Sequence, residues 1–236
     1  MQLNLAQQEL TLKVVYYGPA LSGKTTNLQQ IHRIVDETSR GHLMVLNTRD
    51  DRTLFFDLMP IVVQSGLGRK VRLKLFTVPG QVIHDSTRRV VLQGADAVIF
   101  VADSRVSEAR NNSVSYKNLR DNLLANRIDD VPVVIQFNKR DLPDIRADDD
   151  LDALALRSRE PIYKAVALRG DGVAETLCGL LRLLWASLDR QFEIRRKHGF
   201  GREDFLAPFY KALKLEMPSF DEPPASPGTP AVGGGG

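Results

Sequence analysis

The sequence predicts an open α/β sheet, mostly parallel and about six strands wide, with one antiparallel edge strand and helices on both faces. Three observations carry that expectation. Apolar runs of strand length alternate with segments whose apolar residues fall at helical spacing, from residue 12 to residue 192. The runs at 97–101, 131–137 and 162–167 are almost continuously apolar, as strands covered on both faces are. The first run leads straight into Gly18-Pro19-Ala20-Leu21-Ser22-Gly23-Lys24-Thr25-Thr26, a turn that opens a helix at the strand end where such sheets hold ligands.

Each element has its own signal. Residues 12–17 form the first strand, and 26–35 a helix with Leu28, Ile31, Ile34 and Val35 on one side. A short strand is expected at 42–46. The stretch 58–63 is interrupted by Pro60, which lacks an amide donor and suits an edge. Ser65-Gly66-Leu67-Gly68 is a turn, and Val71, Leu73 and Leu75 recur with period two, so 61–78 should be a hairpin. Helices are expected at 107–126, 148–158 and 173–192. Asp148-Asp149-Asp150 suits a metal site less well than a helix start, where carboxylates meet free N–H groups and the positive dipole end.

The character changes after His198 and Gly199. Phe205, Leu206, Phe209, Tyr210, Leu213 and Leu215 make an apolar stripe at mostly helical spacing, with Pro208 inside it. Such a stripe is a terminal helix docked on the core or a partner-binding segment. Arg195, Arg196, Lys197 and Arg202 answer a helix C-terminus or meet an acidic lipid or partner. Residues 217–236, rich in Pro, Gly, Ser and Ala, are expected to be disordered. The organisation expected is a main domain at 1–194, an extension with helical patterning at 195–216, and the tail.

Composition excludes some classes. At 236 residues and a formal net charge of +3, the chain can bury a full core and carries no general signature of nucleic-acid binding. No apolar run reaches membrane-spanning length and the first residues lack a signal pattern, so a cytoplasmic location is expected. Cys178 lies among leucines and reads as a buried thiol; the four histidines show no metal-ligand spacing.

The glycine-rich turn fits G-x-x-x-x-G-K-[ST] at every fixed position. Such a loop turns backbone N–H groups inward around phosphate, with Lys24 reaching the β- and γ-phosphates and the Thr25 hydroxyl ligating Mg²⁺. It grips what ATP and GTP share and does not choose the base. Asn138-Lys139-Arg140-Asp141 follows an apolar strand, and its Asp141 carboxylate can accept from both N1–H and the exocyclic amine of guanine, which adenine does not offer. Asn138 would bridge toward the phosphate loop, and the Lys139 stem would cover the base.

Together the two motifs resemble those of Ras-like small GTPases, a branch of the P-loop nucleoside triphosphatases. Val15-Tyr16-Tyr17-Gly18-Pro19, Asp51-Arg52-Thr53-Leu54-Phe55-Phe56-Asp57 and Thr77-Val78-Pro79-Gly80-Gln81 narrow the resemblance to the bacterial mutual gliding-motility family, the MglA-like GTPases of cell polarity. It runs over residues 10–188. The resemblance implies a Ras-like sheet, GTP/GDP and Mg²⁺ as ligands, and contacts to nucleotide from Gly18, Ala20, Leu21, Ser22, Gly23, Lys24, Thr25 and Thr26. It further implies that Thr53 senses γ-phosphate and, with Thr25, the metal. Arg52 would be an arginine finger, Gln81 would orient water, Gly80 N–H would meet γ-phosphate, and Ala167 N–H would face guanine O6. A dimeric roadblock-fold GTPase-activating protein, unidentified effectors and placement at a cell pole are implied as well.

Two departures stand out. Thr77 replaces the acid that most Ras-like proteins use near Mg²⁺, and Ala20 replaces a usual glycine, adding a methyl beside the γ-phosphate that would slow hydrolysis more than binding. A binding module with lost hydrolysis is therefore the alternative to a slow GTPase. A P-loop metabolic kinase is disfavoured, since no Arg-rich lid or acceptor base is evident.

Overall fold

Val14 and Val15 leave the same strand toward opposite hydrophobic layers, and that alternation organises the molecule. The computed structural model describes residues 1–4, 8–46, 56–66, 68–81 and 84–219, without the side chains of 45, 46 and 56. Its strands are β1 (Gln2–Asn4), β2 (Glu9–Tyr17), β3 (Met44–Leu46), β4 (Phe56–Gln64), β5 (Lys70–Thr77), β6 (Ala97–Asp103), β7 (Val133–Asn138) and β8 (Ile162–Lys164). The helices are α1 (Lys24–Ile34), α2 (Asp85–Leu92), α3 (Ala109–Ala125), α4 (Asp148–Arg157), α5 (Val173–Phe192), α6 (Ile194–His198) and α7 (Arg202–Ala212).

The sheet runs β3-β4-β5-β2-β6-β7-β8, with β1 paired to the start of β2. From β5 through β8 every pairing is parallel, while β3, β4 and β1 join antiparallel. This is the mostly parallel mixed sheet expected from the sequence; β3 is the short strand expected at 42–46, and the short β1 is added to it. Leu10, Leu12, Val14 and Tyr16 face α1, α5 and α7; Val15 and Tyr17 face α2, α3 and α4. The central β6 is buried at all seven positions, which explains its unbroken apolar run.

Pro60 lies in β4, which has a strand on each side, yet β3 covers only Phe56, Asp57 and Leu58. Past that cover Gly41 N–H donates to Pro60 O and Val62 N–H to Ser39 O, both at 2.8 Å, around an isolated bridge between Arg40 and Ile61, so the missing Pro60 donor falls in the gap between β3 and that bridge. The β4–β5 hairpin closes through Ser65 N–H to Arg69 O at 2.9 Å. Helix α2 carries Thr87 and Arg88 on its buried face beside Val91 and Leu92, so apolar spacing alone did not reveal it. The Asp148-Asp149-Asp150 run does occupy the first turn of α4.

At the carboxyl end, Glu193 and Gly199 take positive φ and break α5, α6 and α7 apart. Asp204 accepts the Gly201 N–H at 2.8 Å at the start of α7. Phe205, Leu206 and Phe209 of α7 are wholly buried, with Phe205 stacked on Trp185 of α5 at 5.4 Å between centroids. The apolar stripe is thus consumed by the protein's own core. Burial pushes the Cys178 thiol pKa up, as expected of an inert thiol on the buried face of α5. No helix of the described residues is long and apolar enough to cross a membrane.

Candidate nucleotide site

The carboxyl ends of β2, β6 and β7 bring the two motifs together. Gly18 sits at φ +148, where an added methyl would lie 2.2 Å from the Val101 carbonyl oxygen. Only glycine passes this close to β6. Gly23, at φ +101, would place a methyl 2.2 Å from Asn138 Nδ2. Between them Leu21 adopts φ +59 and is 86% exposed, so its side chain takes no part in the core. No side chain caps α1, and its first turn contains no acid. Its positive end is therefore left for an external anion.

Lys24 is buried, and its ammonium donates to the carbonyls of Gly18 and Pro19 at 3.1 and 2.7 Å. Burial, and then the positive charge of Arg88, push its pKa down to about 7 against the opposing pull of Asp57. Ser22 Oγ is buried without a hydrogen-bond partner. A buried cation resting on carbonyls, an orphaned hydroxyl and an uncapped helix end all fit a bound phosphate.

Asn138 joins the two motifs: Nδ2 donates to Ser22 O at 2.8 Å, and Oδ1 accepts Ala167 N–H at 2.8 Å. Ala167 N–H is therefore already engaged, whereas the N–H of Leu168, one residue on, makes no hydrogen bond among the described residues. Lys139, at φ +68, donates to Asp103 Oδ2 at 2.6 Å. Burial acts to raise the Asp103 pKa, but hydrogen bonds from Arg105 and Lys139 outweigh it and hold the carboxyl below its ordinary range. The Asp141 carboxylate is exposed and has no hydrogen-bond or ion-pair partner among the described residues, so it is open to a ligand's donors.

Thr25 Oγ1 donates to Asp57 Oδ2 at 2.6 Å. Thr77 Oγ1 donates to the same oxygen at 3.0 Å and accepts Asp57 N–H at 2.9 Å. Gly80 lies against the phosphate loop, where an added methyl would fall 2.3 Å from Ala20 Cα. Gln81 is exposed in the following turn, and Thr26 is partly buried in α1. Arg52 and Thr53 fall outside the described residues.

The profile of the ADP-ribosylation factor family matches residues 1–183. The chain is also 42% identical over 190 residues to the mutual gliding-motility protein MglA of Myxococcus xanthus (strain DK1622), covering 80% of this chain and 97% of that protein. It belongs to the MglA-like small GTPases of the ADP-ribosylation factor family. The protein is accordingly a GTPase, with guanine nucleotide as its ligand.

Within this MglA-like GTPase the fold gathers the phosphate loop, Gly80, Gln81, Asn138, Lys139, Asp141 and Ala167 along one edge of the sheet. Asp57, the last residue of the string Asp51-Arg52-Thr53-Leu54-Phe55-Phe56-Asp57, has no role that the sequence alone assigns. Its signal was available in the hairpin register: Leu58 pairs with Phe76, which sets Asp57 beside Thr77 on the neighbouring strand. Asp57 thus sets a carboxylate against the Thr77 hydroxyl from across the ladder.

Proposed function

We propose that this GTPase is a GTP/GDP switch that hydrolyses GTP slowly to GDP and phosphate and acts in bacterial cell polarity or motility. The hydrogen-bonded trio Thr25, Asp57 and Thr77 carries the reading. It ties the positive end of α1 to the strand that follows Arg52 and Thr53, and to the strand that leads to Gly80 and Gln81. The strand after the first γ-phosphate-sensing segment and the strand before the second thereby meet at one carboxylate.

In this reading Thr25, Thr53 and Asp57 hold Mg²⁺, which neutralises negative charge on the phosphates when bound. Lys24 exchanges its two carbonyl partners for phosphate oxygens. Asp141 accepts the two guanine donors, Lys139 keeps its stem over the base because Asp103 pins its ammonium, and Leu168 N–H takes the O6 role that the resemblance gave to Ala167. Arg52 offsets charge on the transferring phosphoryl group and Gln81 orients water. Residues 1–194 carry this machinery, 195–216 brace it and 217–236 form a tail. The partner is a dimeric roadblock-fold GTPase-activating protein and the site of action a cell pole, as the family resemblance implies, while the motility role follows the gliding motility in the relative's name.

The contact of Gly80 with Ala20 favours a second reading, a GTP-binding module with impaired hydrolysis that recruits partners. Multiple-turnover phosphate release, with and without a roadblock dimer, separates them. Accelerated release supports the switch; tight GTP binding with no release in either condition supports the module.

A further inference from the structure

Arg88 is the largest fully buried side chain in the described molecule, and among the described residues it forms no salt bridge. Its Nε donates to Pro79 O at 2.8 Å, one Nη donates to Gly80 O, and the other donates to Asn118 Oδ1 at 2.8 Å. The guanidinium lies 5.2 Å from the Tyr17 ring centroid, a cation–π contact. Behind it Asn118 and Asn122 donate to Asp85 Oδ1 at 2.7 and 2.8 Å, so the Asn118 amide links the guanidinium to the Asp85 carboxylate. Enclosing a cation on neutral carbonyls is costly, and a fold that retains it uses the geometry it imposes.

That geometry follows from peptide planarity. The C=O of Pro79 and the N–H of Gly80 belong to one trans peptide and point in opposite directions. Holding Pro79 O toward α2 therefore aims Gly80 N–H away from α2, while Gly80 Cα is pressed against Ala20 of the phosphate loop. The same holds one residue on: anchoring Gly80 O sets the direction of Gln81 N–H. Neither N–H makes a hydrogen bond among the described residues, so both are oriented but unspent. Arginine suits this task because its planar fork meets two successive carbonyls at once.

We propose that Arg88 is a positioning residue for triphosphate recognition, setting the Gly80 and Gln81 peptides so that their N–H groups and the Gln81 side chain meet the γ-phosphate and its water. This rests on the switch reading above. The experiment measures the affinities of full-length wild type, Arg88→Met, Arg88→Lys and Asn118→Ala for GDP and for a non-hydrolysable β,γ-imido GTP analogue.

Relative to wild type, the analogue-to-GDP preference should fall about tenfold in Arg88→Met and about threefold in Asn118→Ala, with partial recovery in Arg88→Lys, as expected for losing one oriented charge-facing hydrogen bond. Measured at pH 6, where Lys24 is largely protonated with or without the Arg88 charge beside it, GDP affinity should stay within about twofold, since Gly80 faces only the γ-phosphate. Equal losses for both nucleotides, or an unmoved preference in folded variants, overturn the proposal. If Arg88→Met does not fold by circular dichroism, Asn118→Ala and Arg88→Lys decide it. A wild type that binds both nucleotides while the variants leave the preference unmoved removes this inference alone; a wild type that binds neither removes the switch reading with it.

Discussion

Nucleotide binding should draw a proton from solution through Lys24. In the nucleotide-free fold, burial and Arg88 lower its pKa from 10.5 to about 7, which at about 1.4 kcal/mol per pH unit disfavours the ammonium by about 5 kcal/mol. A phosphate anion on the same side restores the charged form. At pH 8 roughly a tenth of the free protein carries that proton, so binding GDP at that pH should take up about nine-tenths of a proton. The phosphates of GDP are already ionised at pH 8 and contribute none. Calorimetric titration at pH 8 in buffers of different ionisation enthalpy reads the uptake directly, and GDP affinity should weaken toward tenfold per pH unit above about 7. Folding carries the opposite sign. Between about pH 7 and 10.5 the unfolded chain holds a Lys24 proton that the nucleotide-free fold has released, so the stability of that fold rises with pH across the window, and the penalty is complete below it. Buffer-independent heats at pH 8, together with a flat affinity from pH 7 to 8.5, would refute the reasoning.

Asp141→Asn should weaken GDP binding at least tenfold and improve xanthosine diphosphate binding, because the amide donates where the carboxylate only accepted; competition titrations with the two nucleotides check it. Arg52→Ala and Gln81→Ala should each slow single-turnover GTP cleavage by about a hundredfold or more with affinity nearly unchanged, and a parallel loss of binding would make them structural. Phe205→Ala and Phe209→Ala should each cost about 3–5 kcal/mol in denaturant unfolding, since both rings are wholly buried. A cost under about 1 kcal/mol would mean that α7 is dispensable to the core.

The readable parts of this protein were those whose chemistry is local. Gly18, Gly23 and Lys24 announce a phosphate loop because backbone conformation and charge there depend on neighbours a few residues away, and α5 shows its full length through unbroken apolar spacing. Helix α2 was illegible because its inward face carries Thr87 and Arg88. The docking of α7 was one of two open outcomes, since an apolar stripe has the same pattern whether its cover is the protein's own core or a partner. Asp57 sat in a recognised string without a role, because its neighbour Thr77 lies twenty residues along the chain.

By itself, the order of residues determined the alternation of strands and helices, the phosphate loop and the preference for guanine, all of which follow from spacing along one chain. Tertiary structure alone decided that Asp57 faces Thr25, that Arg88 grips the carbonyls of Pro79 and Gly80, and that Ala167 spends its N–H on Asn138. Those contacts depend on strand register and on which face of a helix is buried, quantities that only long-range packing fixes.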